Sequence, residues 1–122
     1  MTIPRFVFPL FLVVSGLLAA CGGDEGGEGN LPACPSKGTS DTYESFGKQF
    51  MADYCLSCHS SGSGNPAAIS AGVYETQAQV QAAAEEIYSE AGGTNTGMPQ
   101  GTIKPSDTDR QRLADWLSCG AK

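Results

Sequence analysis

One pentapeptide limits this chain more than any other stretch: Cys55-Leu56-Ser57-Cys58-His59. Two thiols separated by two residues, with an imidazole directly after them, form the attachment pattern of a c-type haem. The spacing has a chemical reason. Each thiol adds to one vinyl group of the porphyrin, and the intervening residues let the backbone span both vinyls. The neutral imidazole of His59 then sits under the iron as proximal ligand. The bland competitor is a redox-active or zinc-binding thiol pair that precedes a histidine by chance.

Covalent haem attachment goes with export, and the start of the chain reads as an export signal. Arg5 supplies a short positive region, and Phe6 to Leu18 is an apolar run interrupted by Pro9, Ser15 and Gly16. Residues 1–20 are too short for a comfortable membrane span. The run ends in Leu18-Ala19-Ala20-Cys21, which resembles the lipobox of bacterial lipoproteins. That resemblance implies cleavage before Cys21, with acyl chains on its sulfur and its new amino terminus. Several acyl chains anchor a protein stably where one binds only marginally. An ordinary cleaved signal beside a chance cysteine is the alternative. The expected location is the periplasmic side of a membrane or the cell surface.

Counting cysteines narrows the chemistry. Of 5 in the chain, Cys21 is assigned to lipid and Cys55 and Cys58 to haem. Cys34 and Cys119 remain, an even remainder in an oxidising compartment, so a Cys34–Cys119 disulfide is one hypothesis and two free thiols the other. The formal net charge of −6 argues against nucleic acid as a partner. It leaves docking onto basic or neutral protein surfaces open.

Residues 21–40 read as a tether and entry loop. Cys21 to Asn30 is glycine and carboxylate with nothing to build a core from, and its coil reach to Cys34 is on the order of 20 Å. The domain proper spans residues 41–122. Its first helix is expected to start near Asp41, with Asp41 and Glu44 as a capping box. Tyr43, Phe46, Gly47, Phe50 and Tyr54 fall at helical spacing, and the helix leads straight into the haem motif. Ser60 to Gly72 is dense in glycine, serine, asparagine and proline and reads as loop. A second helix is expected from Glu75 or Thr76 to Ala91, stopped by Gly92-Gly93. The last begins after Pro105-Ser106, with Leu113, Trp116 and Leu117 on one face and Gly120 at its end. No strand-like alternation occurs in the chain, so the domain is all-α.

A six-coordinate haem needs a second axial ligand, and the sulfur and histidine count leaves few. His59 is the only histidine, so a second imidazole is excluded within one chain. Met1 departs with the signal, and Met51 lies on the helix entering the haem motif, on the proximal side. Met98 remains, far enough downstream to wrap around the haem edge, with Pro99 stiffening its loop. Lys104 and an open distal site are the other options.

These residues together are similar to those of the class I c-type cytochromes. The likeness rests on Cys55, Cys58 and His59, on Gly47 in the preceding helix, on Met98-Pro99 in a late loop, and on Leu113-Ala114-Asp115-Trp116-Leu117 in the terminal helix. It covers roughly residues 41–122. It implies three main helices around one covalently attached haem c, with Gly47 and Trp116 meeting where the first and last helices cross. It implies a carbonyl partner for the proximal imidazole, for which Pro66 is the candidate.

The expected function is then that of a membrane-tethered single-electron carrier with His59 and Met98 on the iron, serving protein redox donors and acceptors. The rivals are a peroxidase-like haem enzyme, a small haem subunit of a redox complex, a gas or redox sensor, and a haem-free thiol or zinc module. No distal histidine or arginine stands beside Met98 in the sequence to assist peroxide cleavage.

Overall fold

The computed structural model describes residues 31–122. The expected signal 1–20, the lipobox Cys21 and the glycine-rich part of the tether lie outside the described residues. The described residues are helical, with no strand among them: a π-wound turn Tyr43–Gly47, then α1 (Lys48–Tyr54), α2 (Leu56–His59), α3 (Pro66–Ala71), α4 (Gln77–Ala82), α5 (Ala84–Ala91) and α6 (Asp107–Ser118). None is long and apolar enough to cross a membrane.

The first helix starts one residue later than Asp41 suggests. Thr42 is its cap: Thr42 Oγ1 accepts from the Ser45 amide, and Ser45 Oγ accepts from the Thr42 amide. That box replaces the Asp41–Glu44 pair. Asp41 is diverted because Arg112 on α6 grips its carboxylate with two donors, at 2.7 and 3.1 Å. The Thr42 carbonyl accepts from both Phe46 and Gly47, which widens the first turn before α1 settles into regular winding.

Two further differences follow from local chemistry. Within the expected loop 60–72, Asn65 accepts from the Ala68 amide and Pro66 takes the first helical position, giving α3. Proline there forfeits a hydrogen bond the helix does not make anyway. The expected helix 75–91 is capped by Thr76 with Gln79 but divides at Ala83, whose ψ of 15° is not helical. The last helix runs as its signals indicate. Ser106 accepts from the Asp109 amide, Asp107 and Asp109 lie in the first turn, and Gly120 takes a φ of +88° beyond the end.

The core lies where the first helix meets α6. Trp116, Leu113, Leu117, Met51 and Val80 are the largest side chains fully withdrawn from solvent. Trp116 meets Phe46 edge to face at a centroid distance of 5.9 Å and lies within 6.5 Å of Tyr43. A Cβ added to Gly47 would overlap the six-membered ring of the Trp116 indole. The helix therefore accepts glycine's cost, about 1 kcal/mol against alanine, to admit that ring.

The C-terminal residues are fastened to the other elements. The Lys122 main-chain oxygen accepts from the Tyr43 amide at 2.6 Å and from Trp116 Nε1 at 3.2 Å. Gln77 and Gln81 on α4 donate to the Ala121 and Gly120 carbonyls, each at 3.0 Å. Cys34 and Cys119 are joined by a disulfide, with their Cα atoms 4.8 Å apart and a sequence separation of 85.

Candidate haem site

The haem motif occupies a sharp break in the helix. Cys55 closes α1 by donating its amide to the Met51 carbonyl, and its own carbonyl accepts from Cys58 and His59. One turn, α2, therefore carries the second thiol and the imidazole. Cys55 and Cys58 are free thiols, the first half-buried and the second exposed. Cys55 and Leu56 both pack against the core, and Cys55 and Cys58 also line a cavity.

That cavity holds about 620 Å³ and is mostly apolar in lining. Cys55, Cys58 and His59 line it on one side; Ile87 and Ala91 from α5, and Met98 and Pro99 from the following loop, line it elsewhere. The volume falls in the range of roughly 300–1,000 Å³ common for cofactor sites. Asp53, Glu86 and Glu90 also reach it, whereas no lysine or arginine is among the lining residues. Its charged lining is therefore acidic.

His59 is held in one orientation by the 72–74 segment. Its Nδ1–H donates to the Gly72 carbonyl at 2.8 Å. A carbonyl can only accept, so the proton sits on Nδ1, and the tautomer that fits this contact has its lone pair on Nε2. Tyr74 stacks on the imidazole at 4.7 Å with 19° between planes, and its amide donates to the His59 carbonyl at 3.0 Å. A Cβ at Gly72 would overlap the Tyr74 phenol, so glycine permits this close wrap. The Gly72 carbonyl takes the role expected of Pro66, which instead opens α3. Backbone oxygens carry no side-chain signature, so Gly72 had no signal to find.

Burial sets the remaining electrostatics. Desolvation pushes the Cys55 thiol up to about 12 from its ordinary 9.0, far from the depressed values of reactive redox thiols. Burial, and then the carboxylate of Glu86, pushes the Tyr74 phenol up to about 12, so it faces the cavity neutral. Among the described residues, no three histidine, cysteine, aspartate or glutamate side chains gather to hold a metal ion. The zinc and thiol-redox readings therefore find no support in the geometry. The residues do fit a haem: two free thiols, an imidazole nitrogen with its lone pair available, and an apolar cavity that all three line.

The other candidate ligands separate clearly. Met51 is 1 % exposed and packs in the core rather than lining the cavity. Lys104 is exposed and is not among the cavity-lining residues; its ammonium donates to the Pro99 carbonyl. Met98 is half-buried and lines the same cavity as His59.

The sequence reading missed Arg110. It is buried on α6 and donates to the Met98 carbonyl at 2.9 Å, so an arginine does stand beside Met98. It is not among the cavity-lining residues, and its donating nitrogen is occupied by backbone carbonyls.

A single helical fold with a haem motif at a break in its first helix, and a late methionine loop on the same cavity, defines a class I c-type cytochrome, a haem domain that carries electrons between redox proteins. Residues 44–117 match the family described as cytochrome c oxidase, cbb3-type, subunit III, and the chain belongs to that family. The matched stretch contains every residue just placed around the cavity. Neither a curated relative nor a solved structure matches the chain.

Proposed function

We propose that this cytochrome is a membrane-tethered single-electron carrier with one haem, bonded through thioethers to Cys55 and Cys58 and ligated by His59 and Met98. The observation that carries this is the joint lining of one apolar cavity by Cys55, Cys58, His59 and Met98. Held there, a haem supplies an iron couple that changes by one electron, and His/Met ligation raises its potential. The protein's own contribution is to orient the ring of His59 through Gly72 and Tyr74 and to keep water from the cavity with Ile87, Ala91 and Met98. A donated hydrogen bond from Nδ1 to a carbonyl also makes the imidazole a better ligand. With both axial positions taken by side chains, no site remains for a substrate, which disfavours the peroxidase and sensor readings.

The tether belongs to the same proposal. Leu18-Ala19-Ala20-Cys21 supports acylation at Cys21, and residues 21–40 would leash the domain to the membrane surface. The Cys34–Cys119 disulfide suits an exported, oxidising location on the periplasmic side or cell surface. A second reading, in which the domain works as a haem subunit inside a larger oxidase, is favoured by the description of its family. Detergent purification separates the two: a free carrier elutes alone, and a subunit elutes with other chains.

The ligand assignment is tested by Met98→Ala. The ferric protein should lose its far-red sulfur-to-iron absorption and the ferrous protein should begin to bind carbon monoxide. An unchanged far-red band would refute ligation by Met98.

A further inference from the structure

Arg110 occupies a core position of α6, on the face of Leu113, Ala114 and Leu117, and is 3 % exposed. Among the described residues it has no carboxylate partner. A guanidinium does not give up its proton, so the charge under this face is permanent, and burying it unpaired would be costly. Three backbone oxygens offset that cost. Nη1 donates to the Ala91 carbonyl at 3.0 Å, to Asn95 at 2.9 Å and to Met98 at 2.9 Å. Ala91 ends α5, and Asn95 and Met98 lie on the loop that returns to the cavity. The Arg110 carbonyl in turn accepts from Gly93 at 2.8 Å, and the Met98 amide donates to Glu90 at 2.8 Å. Met98 is thus gripped at its carbonyl from α6 and at its amide from α5.

We infer that Arg110 is a positioning residue for Met98, a buried cationic pin that gathers the carbonyls of residues 91, 95 and 98 and fixes the methionine loop against the cavity. This rests on Met98 being the axial ligand. The loop from Gly92 to Gly97 contains three glycines, whose freedom when unfolded makes any single loop conformation costly. It has no apolar run to anchor it. A methionine sulfur is a neutral and weak ligand that holds iron best when its loop is already in place, and Arg110 supplies that order from outside the cavity. All three contacts converge on one nitrogen, whose two N–H groups serve three oxygens with one N–H shared, so an ammonium can reproduce them in part, whereas an apolar side chain of similar length cannot.

The test compares wild type, Arg110→Met and Arg110→Lys as full-length haem proteins, with two readouts. Amide hydrogen exchange at Met98 reports whether the loop is pinned. The far-red band of the ferric protein, followed with temperature beside the helical circular dichroism, reports whether the pin supports ligation. In R110M the Met98 amide should exchange at least about tenfold faster, and the band should vanish at a temperature where the helices persist. R110K should restore both in part. Unchanged exchange in R110M, or a band lost only together with the helices, would overturn the inference while leaving ligation by Met98 intact. A wild-type ferric protein without the band would overturn the ligation, and the positioning role with it, even if the exchange result held. Should R110M fail to fold, R110K decides alone: its shorter reach should still leave the Met98 amide exchanging faster than in wild type, and exchange and band both identical to wild type would refute the role of the guanidinium.

Discussion

Replacing Gly47 with alanine isolates the contact on which the helix crossing depends. The backbone raises no objection, because Gly47 has φ −59° and ψ −46°, ordinary helical values. Helix propensity alone would reward the change by about 1 kcal/mol. Against this stands the new methyl group, which would overlap the Trp116 ring. The indole has little room to retreat: it is 0 % exposed, its Nε1 is tied to Lys122, and Phe46 abuts it. Overpacking of this kind costs up to about 3 kcal/mol. The two effects leave G47A less stable by up to about 2 kcal/mol, or a melting temperature lower by up to about 16 °C for a domain of this size. Trp116→Phe removes the overlapping atoms, so in that background G47A should be neutral or stabilising. Thermal and urea unfolding of the four proteins in the cycle should then give a coupling of at least about 1 kcal/mol. A more stable G47A, or the same loss with phenylalanine at 116, would refute the reasoning.

Replacing Cys34 and Cys119 with serine opens a loop of 85 residues; by chain entropy the bond contributes up to about 4.5 kcal/mol, and typical losses are about 2–4, read from denaturant midpoints. Asp41→Asn breaks the bidentate contact with Arg112, yet Arg112 is 46 % exposed. The loss should stay below about 1 kcal/mol and shrink further in high salt, and a loss above 2 kcal/mol would show the pair to be far better shielded. Arg112 also lies 4.3 Å over the Phe46 ring, so Arg112→Ala should cost somewhat more than D41N.

Much of the architecture was legible because its signals are local. Ser106 and Asp109 announce the start of α6, Gly120 its end, and Cys55, Cys58 and His59 the cofactor, all within short windows. Ambiguity arose where two local signals competed. Asp41 and Thr42 are both good caps, and the choice fell to Thr42 because a distant arginine claims Asp41. Asn65-Pro66 is as much a helix start as a loop signal, and reading it only as a breaker hid α3. The division at Ala83 leaves no mark in a run of alanines and glutamines.

The site divides the same way. Cys55, Cys58, His59 and Met98, which line one cavity, could be named from the sequence, whereas residues that act on or through main-chain oxygens could not. Gly72 holds His59 through a carbonyl, and Arg110 holds Met98 through another. Nothing in a glycine or a lone arginine tells which backbone oxygen will meet it until the chain has folded.

The central claim is a covalently bound haem with both axial positions filled by side chains. The visible spectrum of the ferrous protein, recorded before and after adding carbon monoxide and again after acid–solvent extraction, tests it most directly. The haem should stay with the polypeptide on extraction, and carbon monoxide should leave the ferrous spectrum unchanged. A haem that extracts freely, or a prompt shift on adding carbon monoxide, would contradict it.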